Sequence, residues 1–89
     1  MAVRTIEVRT TPTRLLVSNP DRVVYTIINT SGTDVYVAFD KNVETSGRNA
    51  GIPVAANGGV WSDEFHKGEV WAIANSTTSV VVVETTKGE

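Results

Sequence analysis

Four consecutive valines, Val80 to Val83, constrain the fold of this chain more than any other feature. β-Branched residues favour strands, because their side chains fit a pleated surface and lose χ1 freedom in a helix. Successive side chains of a strand point to opposite faces, so this strand is apolar on both. The segment Val23 to Ile28 has the same property. Such strands need cover on two sides, and in a small chain a partner subunit can supply the second cover.

The length of the chain sets a further limit. Its 89 residues make one domain, which we place at residues 1–89. A domain of this size buries a modest share of its surface, so disulfides, a metal or oligomerisation commonly stabilise it. The chain has no cysteine, which removes disulfides and thiolate zinc sites. We therefore expect a homo-oligomer, with a trimer as the first hypothesis.

Helical periodicity is nearly absent, whereas short β-type segments recur between turn sequences. Val and Thr together supply 27 of the 89 residues. The predicted strands span residues 3–8, 13–18, 22–30, 35–39, 52–54, 60–65, 69–74 and 80–86. The pattern predicts an all-β fold, either an antiparallel β-sandwich or a jelly-roll-like small barrel of about eight short strands.

Two connections between these strands predict hairpins. The polar cluster at residues 29–34 joins two predicted strands, and the turn at Lys67 and Gly68 joins two others. The second hairpin would place Trp61 and Trp71 roughly opposite one another. Pro53 lacks a backbone donor and predicts an edge strand.

The charges argue against nucleic acid as a partner. Eight basic and ten acidic residues give a net charge of −2, which does not suit a general binder of phosphate backbones. Residues 1–22 carry four arginines against two acids, and residues 23–89 carry four bases against eight acids. This asymmetry fits head-to-tail subunit contacts or a solvated surface. No signal sequence or membrane span is visible, so we expect no membrane partner.

Patterns typical of catalysis and metal binding are weak. His66 could share a metal ion or a proton with Glu64 if both lay on one strand face, but it stands beside a turn. Asp34, Asp40 and Glu44, around the first predicted hairpin and the loop at residues 40–51, could form a weak calcium site, but their spacing does not match an EF-hand. No nucleophile elbow or phosphate-binding glycine loop occurs. We predict a protein that is not an enzyme, with no catalytic residue, metal or cofactor.

The aromatic residues offer an alternative function. Trp61, Trp71, Tyr25 or Tyr36 could stack on sugar rings, which requires at least two rings that are coplanar and exposed on one surface. This alternative is a carbohydrate-binding β-sandwich module. Packing in the core or at a subunit interface is the simpler explanation of the tryptophans.

Several segments resemble a known group of proteins. They are "IINTSGTDVYVAFD" at residues 27–40, "GIPV" at 51–54, a Gly-Gly turn, and "KGEVWAIA" at 67–74. Over residues 22–85 the chain resembles small β-sandwich, jelly-roll-like proteins of phages, prophages and archaeal virus-like elements. The resemblance implies a virion accessory component of the capsid decoration type. Its partners would be itself and capsid or other virion proteins, and its location the virion or the host cytoplasm.

These observations combine into one prediction: a non-enzymatic, homo-oligomeric structural protein derived from a virus or prophage. Its subunit interface is expected at Val24, Ile28, Val81, Val83 and Trp71. Because strand faces alternate, one of Val81 and Val82 should face the core of the subunit and the other its partner.

Overall fold

The computed structural model describes residues 2–87, which form eight β-strands. The strands are β1 (Ala2–Val8), β2 (Thr13–Leu16), β3 (Arg22–Asn29), β4 (Val35–Ala38), β5 (Ile52–Val54), β6 (Gly59–Asp63), β7 (Val70–Ala74) and β8 (Thr78–Thr86). The all-β prediction is confirmed, and each boundary lies within about two residues of its expected place. No helix long and apolar enough to cross a bilayer occurs in the part of the chain described.

The strands form two antiparallel sheets of four strands each. Sheet A has the order β1-β8-β3-β6 and sheet B the order β2-β7-β4-β5. The first strand pairs with the last, the second with the seventh, the third with the sixth and the fourth with the fifth. The chain therefore resembles one long hairpin, closed between β4 and β5 and wound into two layers. This is the jelly-roll topology, and it confirms the predicted sandwich.

Both predicted hairpins are wrong. β3 and β6 belong to sheet A, whereas the strands that follow them, β4 and β7, belong to sheet B. Among the eight described strands, β4 and β5 are the only consecutive ones that pair, and β5 is an edge strand as Pro53 predicts. A turn of five or six residues easily spans the distance of about 10 Å between packed sheets. Because the chain crosses from one sheet to the other at these two turns, the apolar inner faces of the two sheets can pack against each other.

The core lies between the two sheets. Its buried apolar side chains are Val8, Leu15, Leu16, Tyr25, Ile27, Val35, Val37, Val54, Val70, Ala72, Ala74, Val80 and Val82. Val80 and Val82 are each 1% exposed, whereas Val81 and Val83 lie on the opposite face of β8 and are partly exposed. The prediction that Val81 and Val82 face opposite sides is confirmed.

The connection between β4 and β5 is ordered by its own contacts. Val43 inserts into the interior with 2% of its surface exposed. Glu44 and Ala50 form an isolated β-bridge, and the Gly51 N–H donates to the Glu44 carbonyl at 3.0 Å. A Cβ at Gly51 would lie 2.8 Å from the Val43 side chain and 2.9 Å from the Val37 backbone. This close approach requires glycine.

Candidate functional site

The outer face of sheet A is the first candidate surface. One row across its strands contains Thr5, Val81, Ile28 and Val60, and the next contains Val3, Val83, Thr26 and Ser62. Cross-strand partners share a face, so these rows together with Val24 form one surface, called here the A face. The eight strands make only two layers, so no third layer of strands from residues 2–87 covers it.

The A face carries apolar side chains on all four strands, interrupted by the hydroxyl groups of Thr5, Thr26 and Ser62. Val3 on β1 and Val60 on β6 are 61% and 60% exposed. The Thr26 and Ser62 hydroxyl oxygens lie 3.1 Å apart and hydrogen bond to each other. This pairing lowers the cost of covering these two hydroxyls with a partner.

Four of the five predicted interface residues, Val24, Ile28, Val81 and Val83, lie together on the A face. Trp71 does not join them. It lies on β7 in sheet B, directly across from Arg14, and its side chain is outside the core cluster. Its indole Nε1–H points to Glu69 Oε1 at 3.4 Å. Trp71 therefore lies on the opposite side of the sandwich.

The predicted arrangement of aromatic residues is also different in the structure. Trp61 and Trp71 lie in different sheets, so they do not face one another across a hairpin. Tyr25 is fully buried, and its hydroxyl accepts a hydrogen bond from Trp61 Nε1 at 3.1 Å. Tyr36 lies on β4 in sheet B and is partly exposed. Tyr25 is therefore inaccessible for stacking on a sugar, and Trp61 and Trp71 cannot form one platform.

A pocket of about 450 Å³ is the second candidate site. It opens where the edge strands β5 and β6 of the two sheets come together, beside the end of β4 and the β6–β7 loop. Its lining residues are Phe39, Ile52, Trp61, Asp63, Phe65 and His66. We call this site the aromatic pocket.

Rings dominate the lining of the aromatic pocket. Phe39 and His66 stack with ring centroids 4.0 Å apart and an interplanar angle of 24°. Phe65 is 88% exposed and Phe39 is 42% exposed. Covering these rings with an apolar group would be favourable, by about 25 cal/mol per Å² of apolar surface removed from water.

Asp63 supplies negative charge to the aromatic pocket. Partial burial would raise the pKa of Asp63, but hydrogen bonds from the N–H groups of Phe65 and His66, with a third from the Tyr25 hydroxyl, outweigh this and lower it. Hydrogen bonds to a carboxylate favour its charged form. Asp63 is therefore ionised at neutral pH. Burial, in turn, raises the pKa of Tyr25, and the Asp63 charge adds to that rise.

A buried arginine holds the loop that carries His66. Arg22 is 1% exposed, and its Nη1 donates to the carbonyl oxygens of His66 and Gly68 at 3.1 and 2.9 Å. Between these two residues, the Lys67 carbonyl accepts a hydrogen bond from the Asn19 N–H at 2.8 Å. The loop is thereby fixed to the body of the sandwich, so the pocket wall is preorganised.

The residues weighed as metal ligands have other roles. β6 ends at Asp63, so Glu64 and His66 do not share a strand face as required for the predicted pair. Asp34 Oδ1 accepts the Ala56 N–H, and Asp40 Oδ1 accepts the Asn42 N–H, both at 2.8 Å. No cluster of three or more His, Asp or Glu within residues 2–87 is arranged to hold a metal ion.

Sequence reasoning missed Phe39, Ile52 and Phe65 as pocket residues. All three lie at the ends of segments predicted as strands, where an apolar residue also suits a core. The structure ends β6 at Asp63 and so places Phe65 in the loop that follows. Comparison of the chain with models of known protein families, with curated proteins and with solved structures gives no significant match.

Proposed function

We propose that this protein is a non-enzymatic structural protein that forms homo-oligomers through the A face. The observation that carries the proposal is the uncovered apolar surface on the two central strands of sheet A. Val81 of β8 lies directly across from Ile28 of β3, and Val83 lies diagonally from Val24. Val3 and Val60 extend this surface to both edges. An apolar patch that spans a whole sheet is typical of a protein interface.

A trimer would place the A faces of three subunits around a common axis. Each contact then joins one side of the A face to the other side of the A face on the next subunit, and the ring closes without leaving an apolar face free. Trp71 would remain outside the interface, because it lies on the other side of each subunit. An alternative open assembly would bring the A face of one subunit against the Trp71 side of the next.

A role as a virion accessory protein of the capsid decoration type fits this assembly. The resemblance of residues 22–85 to small virus-encoded proteins supports it, and so does the jelly-roll topology, which is frequent in capsid domains. The topology supports this role by analogy alone, because one fold serves many functions. Capsid or other virion proteins would be the partners, and the decoration role requires no active site. Capsid, portal or tail genes beside the gene would strengthen this assignment.

Light scattering at micromolar concentration tests the assembly. The wild-type chain should have three times its monomer mass of 9.6 kDa. Val81→Asp should give a folded monomer, because it places a charge in the interface. Val82→Asp should unfold the domain, because it buries a charge in the core.

Two further variants serve as controls. Val17→Asp adds the same charge at a residue that is 54% exposed and outside the A face, so the trimer should persist. Trp71→Ala should also leave the trimer intact, and its dissociation would favour the open assembly. A monomeric wild-type protein, or an unchanged mass for Val81→Asp, would refute association through the A face.

A further inference from the structure

The aromatic pocket has the composition of a receptor for an organic cation. Three of its lining residues, Phe39, Trp61 and Phe65, carry the aromatic rings that attract cations, and Asp63 adds a carboxylate. The face of an aromatic ring carries partial negative charge and attracts a cation, most strongly when the cation is shielded from water. Ring faces and a carboxylate at one site therefore favour a positively charged ligand.

The polar atoms of the aromatic pocket are largely occupied within the chain. Asp63 accepts three hydrogen bonds, from two backbone N–H groups and the Tyr25 hydroxyl. The Trp61 N–H is donated to Tyr25, and His66 Nε2 is bonded to the Glu69 carbonyl at 2.9 Å. A carboxylate has about four lone-pair positions, so Asp63 has little capacity for further hydrogen bonds. It nevertheless retains its full charge.

Because these polar atoms already form hydrogen bonds within the chain, the pocket favours ligands that need few hydrogen bonds. A sugar presents several hydroxyl groups that lose hydrogen bonds to water and would find few partners here. A guanidinium binds a carboxylate best through two parallel hydrogen bonds, which the Asp63 oxygens have little room to accept. A quaternary ammonium has no N–H group and needs only charge and apolar contact. It matches what the pocket offers.

We propose that the aromatic pocket binds a quaternary ammonium group, either as a small free cation or as a trimethylated lysine side chain. Its volume of about 450 Å³ holds such a group together with the atoms attached to it. Phe65, which is 88% exposed, would fold over the methyl groups and lose contact with water. The site lies at the β5 and β6 edges, so binding does not depend on association through the A face.

Tryptophan fluorescence can test the proposal in the full-length chain. Trp71→Phe removes the second tryptophan, so the remaining signal comes from Trp61 in the pocket wall. Choline chloride should change this signal saturably, beyond a sodium chloride control. Its uncharged isostere 3,3-dimethylbutan-1-ol should bind at least about tenfold more weakly, because it lacks the cation–π attraction. Equal binding of the isostere, or tighter binding of methyl β-glucoside, would overturn the proposal.

Variants of Phe65 localise the binding. Phe65→Ala, introduced into the Trp71→Phe chain, should weaken choline binding at least about tenfold, while Phe65→Tyr retains the ring and should preserve it. Val17→Ala removes apolar surface elsewhere on the molecule and should have no effect. Binding by Phe65→Ala that equals the parent chain would refute the site. The affinities of choline and acetyl-trimethyllysine amide are then compared. Tighter binding of choline indicates a small free cation as the natural ligand, and tighter binding of the amide indicates a trimethylated lysine side chain.

Discussion

The Arg22 guanidinium donates from Nε to Glu84 Oε2 at 2.8 Å, although Arg22 is 1% exposed and the Glu84 side chain 12%. This ion pair joins β3 to β8 at one end of sheet A. The other guanidinium nitrogens donate to the carbonyl oxygens of Val17, His66 and Gly68. One buried side chain thus connects two strands, the end of β2 and the loop beside the aromatic pocket.

Removal of this guanidinium should strongly lower the stability of the fold. Arg22→Met leaves three carbonyl groups without their donor and leaves Glu84 with only the Arg4 guanidinium, 4.0 Å away, and we expect a loss of about 3 kcal/mol in the free energy of unfolding. Arg9→Met is the matched control, since Arg9 is 68% exposed and pairs with Glu7 at 3.0 Å. An exposed pair contributes at most about 1 kcal/mol. Urea denaturation at one fixed protein concentration measures the free energy of unfolding of both variants. Equal losses of stability would contradict a special role for the hydrogen bonds of Arg22.

Asn29 organises the crossing from β3 to β4. It is fully buried, donates from Nδ2 to the carbonyls of Thr33 and Val54, and accepts at Oδ1 from the Ser31 N–H and hydroxyl. Asn29→Asp replaces both donors with an acceptor facing two carbonyls, so we expect a loss of more than about 2 kcal/mol. Asn75 lies between β7 and β8 and is exposed, so it serves as the control. In urea denaturation, the free energy of unfolding of Asn75→Asp should lie within about 0.5 kcal/mol of the wild-type value.

The first residue of β6, Gly59, must be glycine. A Cβ there would clash with the Ala55 carbonyl oxygen and lie 2.6 Å from the Ala55 nitrogen, and these backbone atoms cannot move aside freely. Gly59→Ala should therefore lower the melting temperature and the free energy of unfolding, by about 1 to 3 kcal/mol. Gly32 has no atom within 4 Å of the corresponding position, so Gly32→Ala should be nearly neutral. Similar melting temperatures for the two variants would show that the turn adapts.

Stability should depend on pH through Asp63. Its pKa is lower in the folded chain than the ordinary value of 3.8, because the hydrogen bonds it accepts outweigh its desolvation. A lowered folded-state pKa contributes stability that is present above the ordinary pKa and is lost as pH falls through the folded value. The stability of wild type relative to Asp63→Asn should therefore fall as the pH is lowered from neutral through the ordinary value of 3.8 and below it. Unfolding free energies measured across this range test the effect, and a constant difference would exclude it.

Local sequence predicted the strands well. Val80 to Val83 and Val23 to Ile28 lie in the two central strands of sheet A, and the alternation of faces at Val81 and Val82 follows from strand geometry alone. Turn residues placed the boundaries, and Pro53 correctly indicated an edge. These features depend on neighbours within a few residues along the chain.

The pairing of strands could not be derived in the same way. A polar turn of five or six residues is compatible with a hairpin or with a crossing to the other sheet, and this ambiguity made both hairpin predictions wrong. The burial of Arg22 could not be predicted from the sequence either, since an arginine at the start of a strand is ordinarily exposed. Its acceptors come from residues 5 to 62 positions away in sequence.

The sequence by itself determined the β content, the strand positions and the existence of strands that are apolar on both faces, because these properties are set by side-chain type and period. Only the tertiary structure decided which apolar face stays uncovered and that Trp71 lies away from it. It also assembled Phe39, Trp61, Asp63 and Phe65 into one pocket. The physical reason is that burial and pocket formation depend on contacts between distant segments, and the order in which strands wind into two sheets decides those contacts.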